Sequence, residues 1–131
     1  MTQSSASKHS LGILLVEDET VAAIDFECMA EDLGHRVVAA AITPVQARRM
    51  MRDLPGEIDL VVFGARLVGL SSRDFSRFLA RADVPAIVAS RFPEADLRAE
   101  GFEEPHLAKP YQASEIAGLL GAVESEVRRA A

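Results

Sequence analysis

Four side chains in this sequence have types and positions that could do chemistry together. Glu17 and Asp18 stand side by side directly after the apolar run Ile13-Leu14-Leu15-Val16. Paired carboxylates are hard oxygen ligands, suited to a divalent cation or to a partner amine. Ser90 follows a second apolar run, Ala86 to Ala89, and offers a hydroxyl that can donate to an anionic oxygen. Lys109 follows Leu107-Ala108 and brings a positive charge with three N–H donors. A further run, Leu60 to Phe63, ends on Gly64, which brings no functional side chain. An acidic pair, a hydroxyl and an amine can hold a cation, pair with one another, or bind an anionic group between them.

They can act together only if the fold gathers them. Ile13 to Val16 is a continuous β-branched and aliphatic run, the pattern of a strand buried on both faces. Arg36 to Ile42, Leu60 to Phe63, Ala86 to Ala89 and Leu107-Ala108 are read as four more strands. Helical stripes lie between them. Ala22, Phe26, Met29 and Leu33 share one face, with Gly34 as the stop. Thr43-Pro44 starts the next helix, whose stripe is Ala47, Met50, Met51 and Leu54, and Pro55-Gly56 ends it. Ser71 or Ser72 is expected to cap a helix with Phe75, Phe78, Leu79 and Ala82 inward. A short helix spans about Glu94 to Glu100, and a last one turns Ile116, Leu119, Leu120, Val123 and Val127 inward. The order is βα five times, which implies a parallel sheet covered by helices on both faces. In such folds ligands sit beyond the carboxyl ends of the strands, where Glu17, Asp18, Gly64, Ser90 and Lys109 fall.

Composition narrows the function classes. The 131 residues make one ordinary domain, long enough to fold without disulfides or metal. Twenty acidic against fourteen basic residues give a net charge of −6, which argues against direct nucleic-acid binding. The single cysteine, Cys28, points to a reducing compartment and is read as a small core side chain. No run is long enough to span a membrane, and residues 1–10 carry no hydrophobic signal core. The expectation is a cytoplasmic chain with a flexible tail over 1–10 and one domain over 11–131.

The motifs ILLVEDE at 13–19, LGH at 33–35, DLVVFGARL at 59–67, PAIVAS at 85–90 and LAKPY at 107–111 together resemble the receiver domain of two-component response regulators. The resemblance runs from Leu11 to about Val127. It implies a flavodoxin-like (βα)5 three-layer sandwich with sheet order 2-1-3-4-5. In that family an acidic pair and an aspartate at the end of the third strand hold Mg²⁺, and the aspartate accepts a phosphoryl group from a histidine kinase. Carried over, Glu17 and Asp18 match the acidic pair, with the Arg66 backbone carbonyl as a further weak metal ligand. Ser90 matches the switch hydroxyl, Lys109 the phosphate-pairing lysine, and Pro110 the proline that follows a cis bond. His106 stands where the family has its aromatic switch.

The departure is Gly64, which stands where the acceptor aspartate belongs. Asp59 lies roughly 16 Å away along the same strand, at its wrong end. Ser71 and Ser72 are unactivated hydroxyls, and Asp74 falls on a helix. The resemblance therefore implies a binding module rather than an enzyme: a stand-alone receiver that acts through protein contacts without aspartyl phosphorylation. Mg²⁺ binding is expected to be weak, with Lys109 pairing permanently with Asp18 or Glu17 and Arg66 reaching in. The implied partners are a histidine kinase, a phosphotransfer protein or a downstream regulator, with a homodimer through the last helix region. Two other readings compete: a receiver with a noncanonical acceptor, and a small-ligand binder of flavodoxin-like fold.

Overall fold

The computed structural model describes residues 10–130. The tail expected over 1–10 therefore lies, apart from Ser10, outside the described residues. Twelve elements follow one another: β1 (Gly12–Val16), α1 (Thr20–Asp32), β2 (Arg36–Ala41), α2 (Pro44–Asp53), β3 (Leu60–Gly64), β4 (Arg66–Leu67), β5 (Leu70–Ser71), α3 (Arg73–Arg81), β6 (Ala86–Ser90), α4 (Glu94–Glu100), β7 (His106–Ala108) and α5 (Ala113–Ala130).

Five strands form one parallel sheet in the order β2-β1-β3-β6-β7. With β6 and β7 as its fourth and fifth strands, this is the expected order. β1 and β3 lie inside the sheet and all their residues are buried. Alternate side chains feed opposite layers. Ile13 and Leu15 pack with Phe26 and Ala30 of α1 and Ile116 and Leu120 of α5. Leu14 and Val16 belong to the other layer, with Ala47 of α2, Phe75 and Leu79 of α3, and Leu97 of α4. The aromatic centre of that layer is Phe63, edge-on to Phe75 at 5.6 Å.

Local signals account for the helix ends. The Gln46 N–H donates to Thr43 Oγ1 at 3.2 Å, and Pro44 opens α2. Gly34 takes φ +91° just past α1, and Gly101 takes φ +108° past α4. Several expectations need correction. Cys28 is exposed, because it lies on the solvent side of α1 away from Phe26 and Ala30. Leu33 and Ala82 are also exposed, since each falls at a helix C-cap where the inward stripe ends. The β4–β5 hairpin was not anticipated at all.

Candidate functional site

The carboxyl ends of β1, β3, β6 and β7 bring Glu17, Asp18, Gly64, Ser90 and Lys109 to one end of the sheet. Glu17 is buried directly beyond β1. Its Oε1 lies 2.7 Å from Lys109 Nζ and accepts from the Tyr111 hydroxyl at 3.3 Å. Its Oε2 accepts from the Glu19 backbone N–H at 3.0 Å. Lys109 also donates to Glu19 Oε1 at 3.1 Å, and Arg91 donates to Glu19 Oε2 at 3.0 Å. The result is a continuous chain: Tyr111, Glu17, Lys109, Glu19, Arg91. The hydrogen bonds from Arg91 and Lys109 hold the Glu19 carboxyl below the usual range. Burial, reinforced by the Glu17 charge, pushes the Tyr111 phenol well above its ordinary value. The expected lysine pairing exists, with Glu17 rather than Asp18. Glu19, Arg91 and Tyr111 complete it; three consecutive acids in sequence gave no sign of which would pair.

Asp18 turns away from Lys109. Its Oδ2 accepts from the Val68 backbone N–H at 2.7 Å. Val68 and Gly69 form the two-residue turn between β4 and β5, with φ +52° and +78°. Positive φ at both positions is the type I′ hairpin pattern, ordinarily filled by Asn-Gly. A β-branched residue there is strained, and the Asp18 carboxylate holds it in place.

The hairpin folds back over the end of β3. A Cβ added to Gly64 would lie 3.2 Å from the Arg66 carbonyl oxygen and 3.3 Å from Leu67 Cδ2. The space just above a side chain at position 64 is thus already lined by its own following loop. Ser72 tightens the arrangement: its Oγ lies 2.6 Å from the Gly64 carbonyl oxygen and 3.0 Å from that of Ala65. Ser72 occupies the N-cap position of α3 but spends its hydroxyl on these carbonyls rather than on a helix N–H.

Ser90 is buried, and its Oγ accepts from the Phe92 N–H at 2.9 Å. His106 Nε2 sits 3.1 Å from the Ser90 carbonyl oxygen, so Nε2 carries the proton. The Lys109–Pro110 bond is cis. Arg66 does not pair with Glu17 or Asp18: its guanidinium lies 3.6 Å from Glu100 on α4 and is half-exposed. Its backbone carbonyl does face the Gly64 position.

As a divalent-cation site the arrangement falls short. Glu17 has both oxygens engaged, Asp18 has one, and position 64 supplies none. Among the described residues no group of three or more His, Cys, Asp or Glu side chains is arranged to hold a metal. A cleft of about 330 Å³ remains, lined by Asp18, Glu19, Arg66, Ser90, Phe92 and Lys109. Among the described residues no helix is long and apolar enough to cross a membrane.

No protein-family model matches the chain. The phyllosphere-induced regulator PhyR of Methylorubrum extorquens is 33% identical over 113 residues, covering 82% of this chain and 41% of the relative. The chain therefore spans less than half the length of that curated relative. The solution structure of the PhyR response-regulator receiver domain of Erythrobacter litoralis superposes with a TM-score of 0.73 at 28% identity, over 87% of this chain and 89% of that one. The anti-anti-sigma factor PhyR of Bartonella quintana, as a double mutant, gives a TM-score of 0.77 at 26% identity, over 100% of this chain and 56% of that one. Sheet order, the placement of the strand-end residues and these likenesses together make this chain a response-regulator receiver domain.

Proposed function

We propose that this receiver domain signals by protein contact and does not form an aspartyl phosphate. One observation carries the reading: at the end of β3, Gly64 supplies no carboxylate, and the Arg66 carbonyl and Leu67 side chain crowd the place where one would begin. Of the substitutes, Asp74 is exposed to solvent on α3 and the other three are engaged elsewhere. Asp59 accepts from the Gly12 N–H at 2.9 Å, at the far end of the sheet. The Ser71 hydroxyl is bonded to Glu100 at 2.6 Å and that of Ser72 to the β3 carbonyls. Lys109, which in phosphorylated receivers would meet the phosphate, is neutralised by Glu17 and Glu19. Any Mg²⁺ would rest on one Asp18 oxygen, a carbonyl and water, which is weak holding for this ion.

The surface around the site favours a protein partner. Val21, Val45, Val68, Leu70 and Phe92 are all exposed, and all lie in helix first turns, loops or the β4–β5 hairpin at the carboxyl end of the sheet. Beside Val21 a groove of about 380 Å³ runs between α1 and the segment Lys109 to Tyr111. Such a rim suits a kinase, phosphotransfer protein or downstream regulator that also binds phosphorylatable receivers. The relative from Bartonella quintana is named an anti-anti-sigma factor, so a regulator of that circuit is the first partner class to test.

The experiment is to incubate the protein with acetyl phosphate and Mg²⁺ and measure its intact mass. The expected result is no phosphoryl adduct. A stoichiometric adduct would overturn the reading and favour a noncanonical acceptor, to be mapped by peptide sequencing.

A further inference from the structure

A second set of charged residues lies away from the strand-end site. Arg48 of α2 lays its guanidinium over the ring of Phe78 of α3, with Cζ 4.1 Å from the centroid. Phe78 in turn stacks on Phe75, with centroids 6.1 Å apart and planes inclined by 17°, and Phe75 is buried. The ring is therefore fixed from beneath. A guanidinium held over a ring by its charge still has N–H donors free for a planar acceptor such as a carboxylate. Arg52 lies one turn beyond Arg48, and Arg81 one turn beyond Phe78, beside Arg77.

The charge of this seam is unusual for the molecule. α2 and α3 together carry six arginines against Asp53 and Asp74, in a chain of net charge −6. Arg48 with Arg52 and Arg77 with Arg81 are like-charge pairs four residues apart, which oppose helix formation. Three arginines elsewhere have acidic partners: Arg66 with Glu100, Arg91 with Glu19 and Arg98 with Glu94. Among the described residues Arg48, Arg52 and Arg81 have no carboxylate within 4.0 Å, and Arg77 reaches only Asp74 at that limit.

We propose that the seam between α2 and α3 docks an acidic segment of a partner protein, whose carboxylates pair edge-on with Arg48 and with Arg52, Arg77 and Arg81 around it. The size of the patch selects a peptide over a larger polyanion. Charges are screened beyond roughly 8 Å at physiological ionic strength. A segment no wider than the seam meets the arginines alone. A nucleic acid or anionic membrane extends beyond the seam onto the acidic surface of the same layer, including α4, which carries Glu94, Asp96 and Glu100 against Arg98. The proposal stands independently of whether the strand-end site is phosphorylated.

The test is a low-salt titration of isotope-labelled protein with a short peptide of glutamate and leucine, followed by NMR. Shifts should be confined to α2, α3 and the arginine side chains. Arg52→Glu with Arg81→Glu should weaken binding about tenfold or more, and both residues are exposed, so an unchanged melting curve certifies the fold. Arg48→Lys keeps the charge but loses the planar fork of N–H donors over Phe78, and should weaken binding several-fold without changing its salt dependence. Absence of peptide binding, shifts centred on other elements, or tighter binding of a single-stranded DNA of equal charge would each overturn the proposal.

Discussion

Asp18 and Val68 are joined across 50 residues of chain by a 2.7 Å hydrogen bond from the Val68 N–H to Asp18 Oδ2. The bond ties the loop after β1 to a turn whose first residue has φ +52°. An acidic residue in the position that resembles a metal ligand thus serves as the clasp of a hairpin.

The strain at Val68 should be measurable. Asn tolerates the left-handed region and would make the turn Asn-Gly, so Val68→Asn should raise stability by about 1 kcal/mol. Asp18→Ala should lower it by a similar amount by leaving the Val68 N–H without its acceptor. Urea denaturation reads both. A lower midpoint for Val68→Asn would show that the valine side chain contributes more than its backbone costs.

Lys109 and Glu17 are the most deeply buried ion pair, with side chains 9% and 2% exposed. Removing one partner strands the other. Lys109→Met should therefore destabilise the fold by about 3 kcal/mol. Adding Glu17→Leu should recover much of that loss, because two apolar side chains replace two charges. A double variant no better than the single would mean that Tyr111 and the Glu19 N–H already satisfy Glu17.

His35 gives the stability a pH dependence. Its buried ring accepts the Leu11 N–H on Nδ1 at 3.0 Å, which requires the neutral form. Burial lowers its pKa, against an opposing pull from Glu124 3.9 Å away. The unfolded chain binds the proton more readily than the folded one. Stability from this residue is thus full above its ordinary pKa of about 6.5 and falls as pH drops toward the folded value. The melting temperature should decline from pH 7 to pH 5, and His35→Gln should flatten that slope. An equally steep decline in the variant would assign the effect to the carboxylates.

Gly64→Asp is expected to restore partial Mg²⁺-dependent phosphorylation, since Asp18, Ser90 and Lys109 remain at hand. The crowding by Leu67 and the Arg66 carbonyl should keep it slow. Gly64→Asp with Leu67→Ala should take up phosphate faster than Gly64→Asp alone, as read by intact mass over time. Equal rates would show that the hairpin yields without cost.

Much of this was legible before the fold was known. The cores of the five strands are short runs of mainly Val, Ile, Leu and Ala, set between helical stripes and turn residues that mark their limits. The place of Gly64 was legible because the apolar run Leu60 to Phe63 stops on it, at the end of β3. The hairpin was not, because β4 and β5 are two residues each, too short for any periodicity, and Val68 is a poor turn former. The role of Glu19 was hidden because its partners, Arg91 and Lys109, lie on other strands' loops. The pairing of the Arg66 guanidinium was hidden for the same reason: Glu100, its partner, belongs to α4. Contacts between charged side chains from distant loops depend on loop shape, which local pattern does not encode.

The chain of bonds from Tyr111 to Arg91 has a consequence for how such a domain could be regulated. Each charge in it already has a neighbour of opposite sign, so the proposed module has no chemical mark to gain or lose at this end. Its influence on a shared partner would then scale with the number of copies in the cell. Synthesis and degradation would set its output, as with a stoichiometric competitor, on the timescale of protein turnover.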